Sequence, residues 1–209
     1  MTVAAVRPVA DPYPKPGEIR IRTVEPRRII EVAGEGRPDS PSFRAAVSAL
    51  YTVAYGVHFA LKRRGITARV GALEGLWTFD RDPFTTAAEA ASLVPPNPDT
   101  WRWRLLIELP GGTADTDVVA AVDDARRKHP SPELAALREV WFEENLVVEA
   151  LHVGPYATEP VTISRMASTA EEAGLAPIGP HHEIYLGDPR RAAPERLKTV
   201  LRQPVGPRP

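Results

Sequence analysis

The stretch from Ser40 to Gly65, SPSFRAAVSALYTVAYGVHFALKRRG, carries the clearest helical pattern in the chain. Its apolar residues recur at steps of three and four, which is the spacing of one helix face. Ser40 is a good N-cap, Pro41 suits the first helical position, and Gly65 suits the left-handed position after the last turn. We therefore predict a helix over residues 41–64 with one apolar side.

The elements around this helix occur in an order that returns later in the chain. Short β-branched and aromatic runs predict strands, and two separate regions read strand, helix, strand, strand. The predicted elements are strand 27–33, helix 41–64 and strands 69–79 and 101–109 in the first unit, and strand 146–153, helix 158–173 and strands 181–186 and 197–203 in the second. Such self-similarity indicates an internal duplication.

This order predicts an α+β fold of two β-α-β-β modules, at about residues 27–110 and 146–205. We expect two antiparallel sheets with helices on one side, forming a single domain over residues 27–205. Ligands commonly bind in concave interfaces, so a central groove between the modules is the expected binding site.

Three segments lie outside the predicted modules. Residues 1–26 are predicted to form an extended N-terminal arm, because their first 18 residues hold four prolines and no periodic pattern. A helix at 117–128 and a strand at 139–142 link the modules, and that strand forms a hairpin with the next one. Residues 80–100 are predicted to be a loop with a short helix at 85–93.

Composition narrows the possible functions. Among 209 residues, 26 are Lys or Arg and 27 are Asp or Glu, a balance that argues against a general polyanion binder. The absence of cysteine excludes disulfides, thiolate nucleophiles, zinc fingers and iron–sulfur clusters. The five histidines lack metal-ligand spacing, so we expect no metal. Neither a membrane span nor a secretion signal is recognisable, so we expect a cytoplasmic protein.

The strand at 181–186 is the first candidate for chemistry. His181, Glu183 and Tyr185 share one face, and Ile184 and Leu186 share the other. We expect the apolar pair to face the helices, which turns Glu183 and Tyr185 to the opposite side. On a solvent face they are ordinary polar residues. Lining a groove, they form a buried acid beside a phenol, and burial raises the pKa of such an acid towards acid–base work.

Aromatic residues form the second candidate group. Trp101 and Trp103 share a strand face, Trp77 lies on the preceding strand, Tyr55 lies on the first helix and Tyr156 begins the third helical region. Two interpretations remain open. Aromatic side chains usually fill a core, but a pair of tryptophans on one strand face also suits a planar ligand.

Three further residues are candidates at the same groove. His152 ends a strand, where a histidine is commonly a structural hydrogen-bond partner, and Glu159 precedes the third helix. Glu74 has the opposite strand parity to Trp77, so it faces the same groove only if Gly75 forms a bulge.

Five short segments, in this order and spacing, resemble the standalone GyrI-like small-molecule-binding family. They are GEG at 34–36, ALYTVAYG at 49–56, LEGLW at 73–77, EALHVGPYATEP at 149–160 and HHEIYLGDPRRAAPERLKTVLRQPV at 181–205. The resemblance implies two β-α-β-β modules around a ligand groove. Related domains form the drug-sensing half of transcription regulators, but no pattern for a helix-turn-helix precedes the first module. We therefore expect no direct nucleic-acid binding.

The resemblance also implies two activities. Some GyrI-like proteins bind hydrophobic, often cationic, drugs in an aromatic pocket around a glutamate. A subset hydrolyses the cyclopropane of DNA-alkylating antibiotics such as yatakemycin and the duocarmycins, which is a detoxifying, antibiotic-resistance function. The HHEIYL segment carries the matching glutamate, Glu183, and the phenol, Tyr185.

The residues then take these expected roles. Glu183 activates water, and Tyr185 or Tyr156 orients that water or donates to the developing phenolate, without a cofactor. The expected substrate-binding residues are Tyr55, Trp77, Trp101, Trp103, Tyr156, Glu74, Glu159 and His152. The expected partner is a planar hydrophobic small molecule, and the protein is expected to be a monomer or weak homodimer. Two alternatives stay open, a non-catalytic multidrug-binding or sequestering protein and a gyrase-inhibitor-like protein-binding module.

Overall fold

Nine β-strands and four α-helices occur in residues 13–78 and 97–208, the part of the chain that the computed structural model describes. The strands are β1 (Ile19–Val24), β2 (Arg27–Glu35), β3 (Leu73–Thr78), β4 (Arg102–Glu108), β5 (Arg138–Phe142), β6 (Asn145–Val153), β7 (Leu175–Pro177), β8 (His181–Tyr185) and β9 (Lys198–Pro207), and the helices are α1 (Pro41–Arg63), α2 (Asp115–Lys128), α3 (Pro132–Ala136) and α4 (Glu159–Glu172). The predicted helix at 85–93 lies outside the described residues.

Eight strands form one continuous antiparallel sheet in the order β1-β6-β9-β8-β3-β4-β2-β5, and β7 pairs separately with β9. Counted outwards from the centre of the sheet, the strands of the second module lie in the order β8-β9-β6. The strands of the first module lie in the equivalent order β3-β4-β2 on the other side of the centre. The α+β fold of two duplicated modules is therefore confirmed. The two sheets that we expected are not separate, however, because β3 and β8 pair and join them edge to edge.

The junction of the modules has a definite centre. The β3–β8 register runs from Leu73 opposite Tyr185 to Trp77 opposite His181. Gly75 opposite Glu183 is the middle pair of that register. The pseudo-twofold axis implied by the strand order therefore passes through this pair.

The outermost strands cross from one module to the other. β1 precedes the first module in sequence but pairs with β6 of the second, and β5 precedes the second module but pairs with β2 of the first. The predicted arm over residues 1–26 is thus wrong for Ile19–Val24. The period-two alternation IRIR gives this strand its apolar face, and Ile19 and Ile21 pack against the second module's core.

α1 matches its prediction and ends one residue earlier. The Ser40 hydroxyl accepts a hydrogen bond from the backbone N–H of Phe43 at 3.2 Å, which satisfies one of the free donors of the first turn. Gly65 adopts the left-handed conformation just after the helix, with φ at 77°. The apolar stripe packs on β2 and β4, while α4 packs on β1, β6 and β7.

This arrangement places β3 and β8 between the two main helices. Trp77 of β3 faces the α1 side, where its ring stacks on Phe43 with ring centroids 5.9 Å apart. Because Trp77 and His181 are paired, the side chains of Glu183 and Tyr185 share that helix-bearing face.

The predicted orientation of β8 is therefore wrong. Ile184 lies on the opposite face of the sheet and is 1% exposed, and Leu186, beyond the strand, is exposed. The physical reason is that the helices cover the outer strands, so β8 has no need of apolar side chains on the helix side.

Candidate functional site

The candidate site lies in the gap between α1 and α4, where polar side chains of the central strands face the helix side of the sheet. Glu183 and Tyr185 come from β8, and Thr199 lies opposite Tyr185 on β9. Glu159 begins α4, and Tyr156 lies in the turn before it. The duplicated fold thus brings two carboxyl groups and two phenols to the gap between its modules.

A hydrogen bond orients the central phenol. The indole N–H of Trp77 donates to the Tyr185 hydroxyl oxygen at 3.0 Å. A phenol that accepts in this way keeps its own O–H free to donate. The Tyr185 hydroxyl also interacts with the Glu183 carboxylate, so the phenolic proton is directed towards that group or a ligand oxygen.

Gly75 leaves room for this contact. A Cβ atom at this position would lie 2.9 Å from Trp77 Nε1 and 3.1 Å from the Tyr185 hydroxyl. Both distances are shorter than a comfortable carbon contact of about 3.5–4.0 Å. No bulge forms at Gly75, which pairs regularly with Leu105 and Glu183, so Glu74 keeps the strand parity opposite to Trp77.

The two carboxyl groups are held in environments that favour protonation. Burial raises the pKa of Glu159 to about 9, with repulsion from Glu183 as the second cause. Burial also raises the pKa of Glu183 to about 7, against hydrogen bonds from Tyr185 and Trp77 and the attraction of His182. Because the groups interact, they titrate as a pair. Near pH 7 the pair therefore carries at most one negative charge, which lies mainly on Glu183.

This arrangement suits acid–base chemistry. A carboxylate whose pKa lies near 7 is a good general base at neutral pH, and a protonated neighbour is a ready acid. Burial raises the pKa of Tyr185 well above its usual value and that of Tyr156 to about 12, so both phenols remain proton donors.

Two other predicted aromatic residues lie beside this group. Trp101 meets Trp77 edge to face at 5.8 Å, and Tyr156 meets Tyr185 in the same way at 6.1 Å. Tyr156 is 39% exposed, which leaves ring surface available to a ligand. The structure therefore brings Trp77, Trp101 and Tyr156 together around Tyr185.

The remaining predicted aromatic residues lie elsewhere. Trp103 is buried in the α1 core, where a Cβ on Gly34 would come within 2.3 Å of its ring. Tyr55 lies half-exposed on α1 against Tyr51 and Phe59. Trp103 is the cross-strand neighbour of Trp77, but in the part of the chain that the structure describes no hydrogen bond or ring contact joins Trp103 or Tyr55 to Glu183, Tyr185 or Tyr156.

The two nearby histidines, His181 and His152, are both neutral at neutral pH, because burial lowers the pKa of each. Burial lowers the pKa of His181 to about 3, so its ring is neutral at 3.8 Å from Glu183. His152 bonds Thr162 at 2.9 Å and Thr158 at 3.1 Å, which holds the turn before α4. His152 also lines an open cavity of about 390 Å³. Glu159, Glu183 and Tyr185 are not among the residues that line this cavity.

Glu74 lies on the opposite face of the sheet. Two oxygens of its carboxylate accept from Arg27 at 2.7 and 2.6 Å, and His182 Nε2 donates to it at 2.8 Å. Hydrogen bonds from His182 and Arg27 outweigh burial and lower the pKa of Glu74 to about 2. His182 Nδ1 lies 2.7 Å from Glu144. Burial lowers the pKa of His182, but Glu144 and Glu74 outweigh it and raise that pKa, which favours an imidazolium that donates from both ring nitrogens.

The Glu74 interactions belong to a larger buried ion cluster. Arg202 joins Glu144 to Glu149, and Glu149 also accepts from Arg20 and Arg22 of β1 at 2.6 Å each. The cluster was not predictable from the sequence, because its partners are as many as 129 residues apart. The sequence signals for Gly75 and Thr199 were equally weak, since neither residue type implies chemistry by itself.

Residues 13–78 and 97–208 contain no cluster of three metal-type side chains that could hold a metal ion. Within the same ranges, every helix is too short or too polar to cross a membrane.

Comparisons with known proteins agree with this architecture. An uncharacterized conserved protein from Listeria innocua is 30% identical, with a TM-score of 0.80 over 91% of this chain and 93% of that chain. A hydrolase from Listeria innocua is also 30% identical, with a TM-score of 0.75 over 93% of this chain and 94% of that chain. The EcmrR C-terminal domain, 10% identical with a TM-score of 0.54 over 91% of this chain and 98% of that domain, shows the fold alone.

Searches of protein-family models and of curated proteins gave no match. A sequence identity of 30% over nearly the whole length of both chains nevertheless shows that these proteins belong to one family. The chain belongs to the family of these Listeria innocua proteins, which includes a hydrolase, and its fold is consistent with the GyrI-like fold.

Proposed function

We propose that this protein is a cofactor-independent hydrolase that opens the strained cyclopropane of planar, DNA-alkylating cyclopropanoid toxins. The observation that carries the proposal is the Glu183 carboxyl group, whose raised pKa suits a base and whose neighbour Tyr185 is oriented by Trp77. The hydrolase relative supports hydrolysis, and the resemblance to the cyclopropanoid-hydrolysing subset supports the substrate.

The proposed reaction adds one water to the ligand. Glu183 takes a proton from water as the water oxygen bonds to the cyclopropane carbon. The carbon–carbon bond of the ring breaks, and its electron pair moves through the conjugated system to the carbonyl oxygen, which becomes a phenolate oxygen. Tyr185 orients the water, and the partly exposed rings of Trp101 and Tyr156 hold the flat ligand, with Trp77 buried behind them.

The proposed reaction requires few catalytic groups from the protein. Ring strain already activates the electrophile, so alignment of water with the breaking bond and a general base are sufficient. General base catalysis typically contributes about 10²–10⁴-fold in rate. We place this activity in the cytoplasm and in one functional unit over residues 27–205, completed by β1.

The test is to incubate the purified protein with a cyclopropanoid toxin and follow addition of water by mass spectrometry. Glu183→Gln keeps the side-chain volume but removes the base, so turnover should fall by about 10²–10⁴-fold while affinity stays within an order of magnitude. Glu172→Gln, at the exposed end of α4, is the matched control and should match the wild type. Binding without product would show the alternative, a sequestering protein.

A further inference from the structure

Glu159 is a buried carboxyl group with an unused oxygen. The residue is 6% exposed, and its Oε1 atom has no hydrogen-bond partner within residues 13–78 and 97–208. Leaving a buried polar atom unpaired is costly, so native proteins satisfy nearly all such atoms. An oxygen left open beside a candidate acid–base pair indicates that a ligand supplies the missing partner.

The surroundings of Glu159 decide its ionisation. Glu183 faces it from β8 as an anion, Thr199 hydrogen-bonds it from β9, and burial dominates the rise in its pKa to about 9. Tyr156 and Tyr185 remain neutral phenols, and His152 of β6 is neutral because burial lowers its pKa. At neutral pH the group is therefore a carboxylic acid, which can donate a proton.

We propose that Glu159 donates its proton to a carbonyl oxygen of the ligand, so that the groove selects planar conjugated ketones. This inference rests on the proposed function, because it assigns the acid that complements Glu183 in the same groove. It also assigns a recognition role that operates before any chemistry, namely a hydrogen bond from the acid to the ketone.

The proton balance of the step is complete. As the cyclopropane bond breaks, its electron pair reaches the carbonyl oxygen, and that oxygen takes the proton of Glu159. Glu183 meanwhile takes one proton from the attacking water. The product is a neutral phenol bearing a new hydroxyl group, Glu159 is left as a carboxylate and Glu183 as an acid. Proton exchange through solvent restores the starting pair.

Ligand binding tests the recognition role without turnover. The probes are 9-fluorenone and fluorene, two planar molecules that differ in a carbonyl oxygen, and the readout is quenching of tryptophan fluorescence at pH 7. A single hydrogen bond predicts that the wild type prefers the ketone by several-fold to about tenfold. Glu159→Leu should bind fluorene as well as the wild type and lose the preference. Glu172→Leu is the control and should keep it.

The pH profile of hydrolysis tests the acid role. The wild-type rate should rise through about pH 7 as Glu183 ionises and fall above about pH 9 as Glu159 ionises. Glu159→Gln should react more slowly and lose the alkaline fall while keeping the rise near pH 7.

These experiments distinguish failure of the proposed Glu159 role from failure of the hydrolase proposal. A ketone preference that survives in Glu159→Leu, or an alkaline fall that survives in Glu159→Gln, overturns the role of Glu159. Absence of any wild-type turnover with normal ketone preference overturns the hydrolase proposal and leaves Glu159 as the ketone-recognition group.

Discussion

At the scale of single residues, Gly75 is the position most sensitive to a small change. Gly75→Ala places a methyl group where Trp77 Nε1 and the Tyr185 hydroxyl meet, so the phenol must move away from Glu183. We expect turnover to fall by about 10–100-fold, because misplacement of a catalytic group by about an ångström can cost about 10²-fold. Overpacking should also lower the unfolding free energy by about 1–3 kcal/mol.

The matched control for this change is Gly111→Ala. A Cβ at Gly111 meets no heavy atom within 4 Å, and its backbone is not in the left-handed region. Single-turnover kinetics and urea unfolding of both variants provide the comparison. Wild-type kinetics in Gly75→Ala would show that the Trp77–Tyr185 contact has no part in catalysis.

The sequence singled out two residues of the candidate site, but it did not predict the face of the sheet on which they lie. The HHEIYL segment singled out Glu183 and Tyr185, and alternation along the strand correctly put them on one face. Which face pointed to the helices could not be read locally, because it depends on which strands the helices cover. Strand parity correctly put Glu74 on the opposite side from Trp77, but its buried partner His182 could not be predicted, because the two residues are 108 positions apart.

At the scale of elements, β1 is an edge strand that the second module needs. Glu149 is fully buried, and two of the three arginines that neutralise it, Arg20 and Arg22, come from β1. Removing residues 1–24 also exposes the edge of β6. Breaking buried ion pairs costs about 3–5 kcal/mol, so we expect a protein that unfolds at much lower urea or does not fold.

Deletion of residues 1–12 provides the comparison, because it retains every contact described for β1. Circular dichroism during urea unfolding distinguishes the two truncated proteins. Equal stability of the longer deletion and the wild type would contradict a structural role for β1. The sequence predicted the modules but not this exchange, because proline-rich residues precede β1 and its pairing partner is more than 100 residues away.

At the scale of the whole molecule, the buried ion cluster joins the modules behind the groove. His182 of β8 bridges Glu74 of β3 and Glu144 of the β5–β6 connection. His182→Asn removes a buried cation that these two carboxylates share in addition to Arg27, and we expect the unfolding free energy at pH 7 to fall by about 3–5 kcal/mol. His129→Asn, an exposed histidine at the end of α2, should be neutral.

The pH dependence of the wild type checks the same cluster. The folded-state pKa of Glu74 is lowered to about 2 from a model-compound value of 4.5, so its contribution is fully present above pH 4.5. That contribution is lost as the pH falls towards 2. Urea unfolding at pH 7 and pH 3 should show a smaller decrease for His182→Asn than for the wild type. Equal decreases would mean that Glu74 does not depend on His182.

The middle of the β3–β8 register explains why one chain is an advantage over two identical ones. Residues that sit on the axis of a true homodimer must be identical, so a glutamate there would confront a second glutamate, and a glycine a second glycine. Fusion of the halves released that constraint. Glu183 can then lie opposite Gly75, with an acid on one side of the axis and room for the Trp77–Tyr185 contact on the other. A duplicated gene thus built an asymmetric reaction centre at the one place where symmetry would otherwise forbid it.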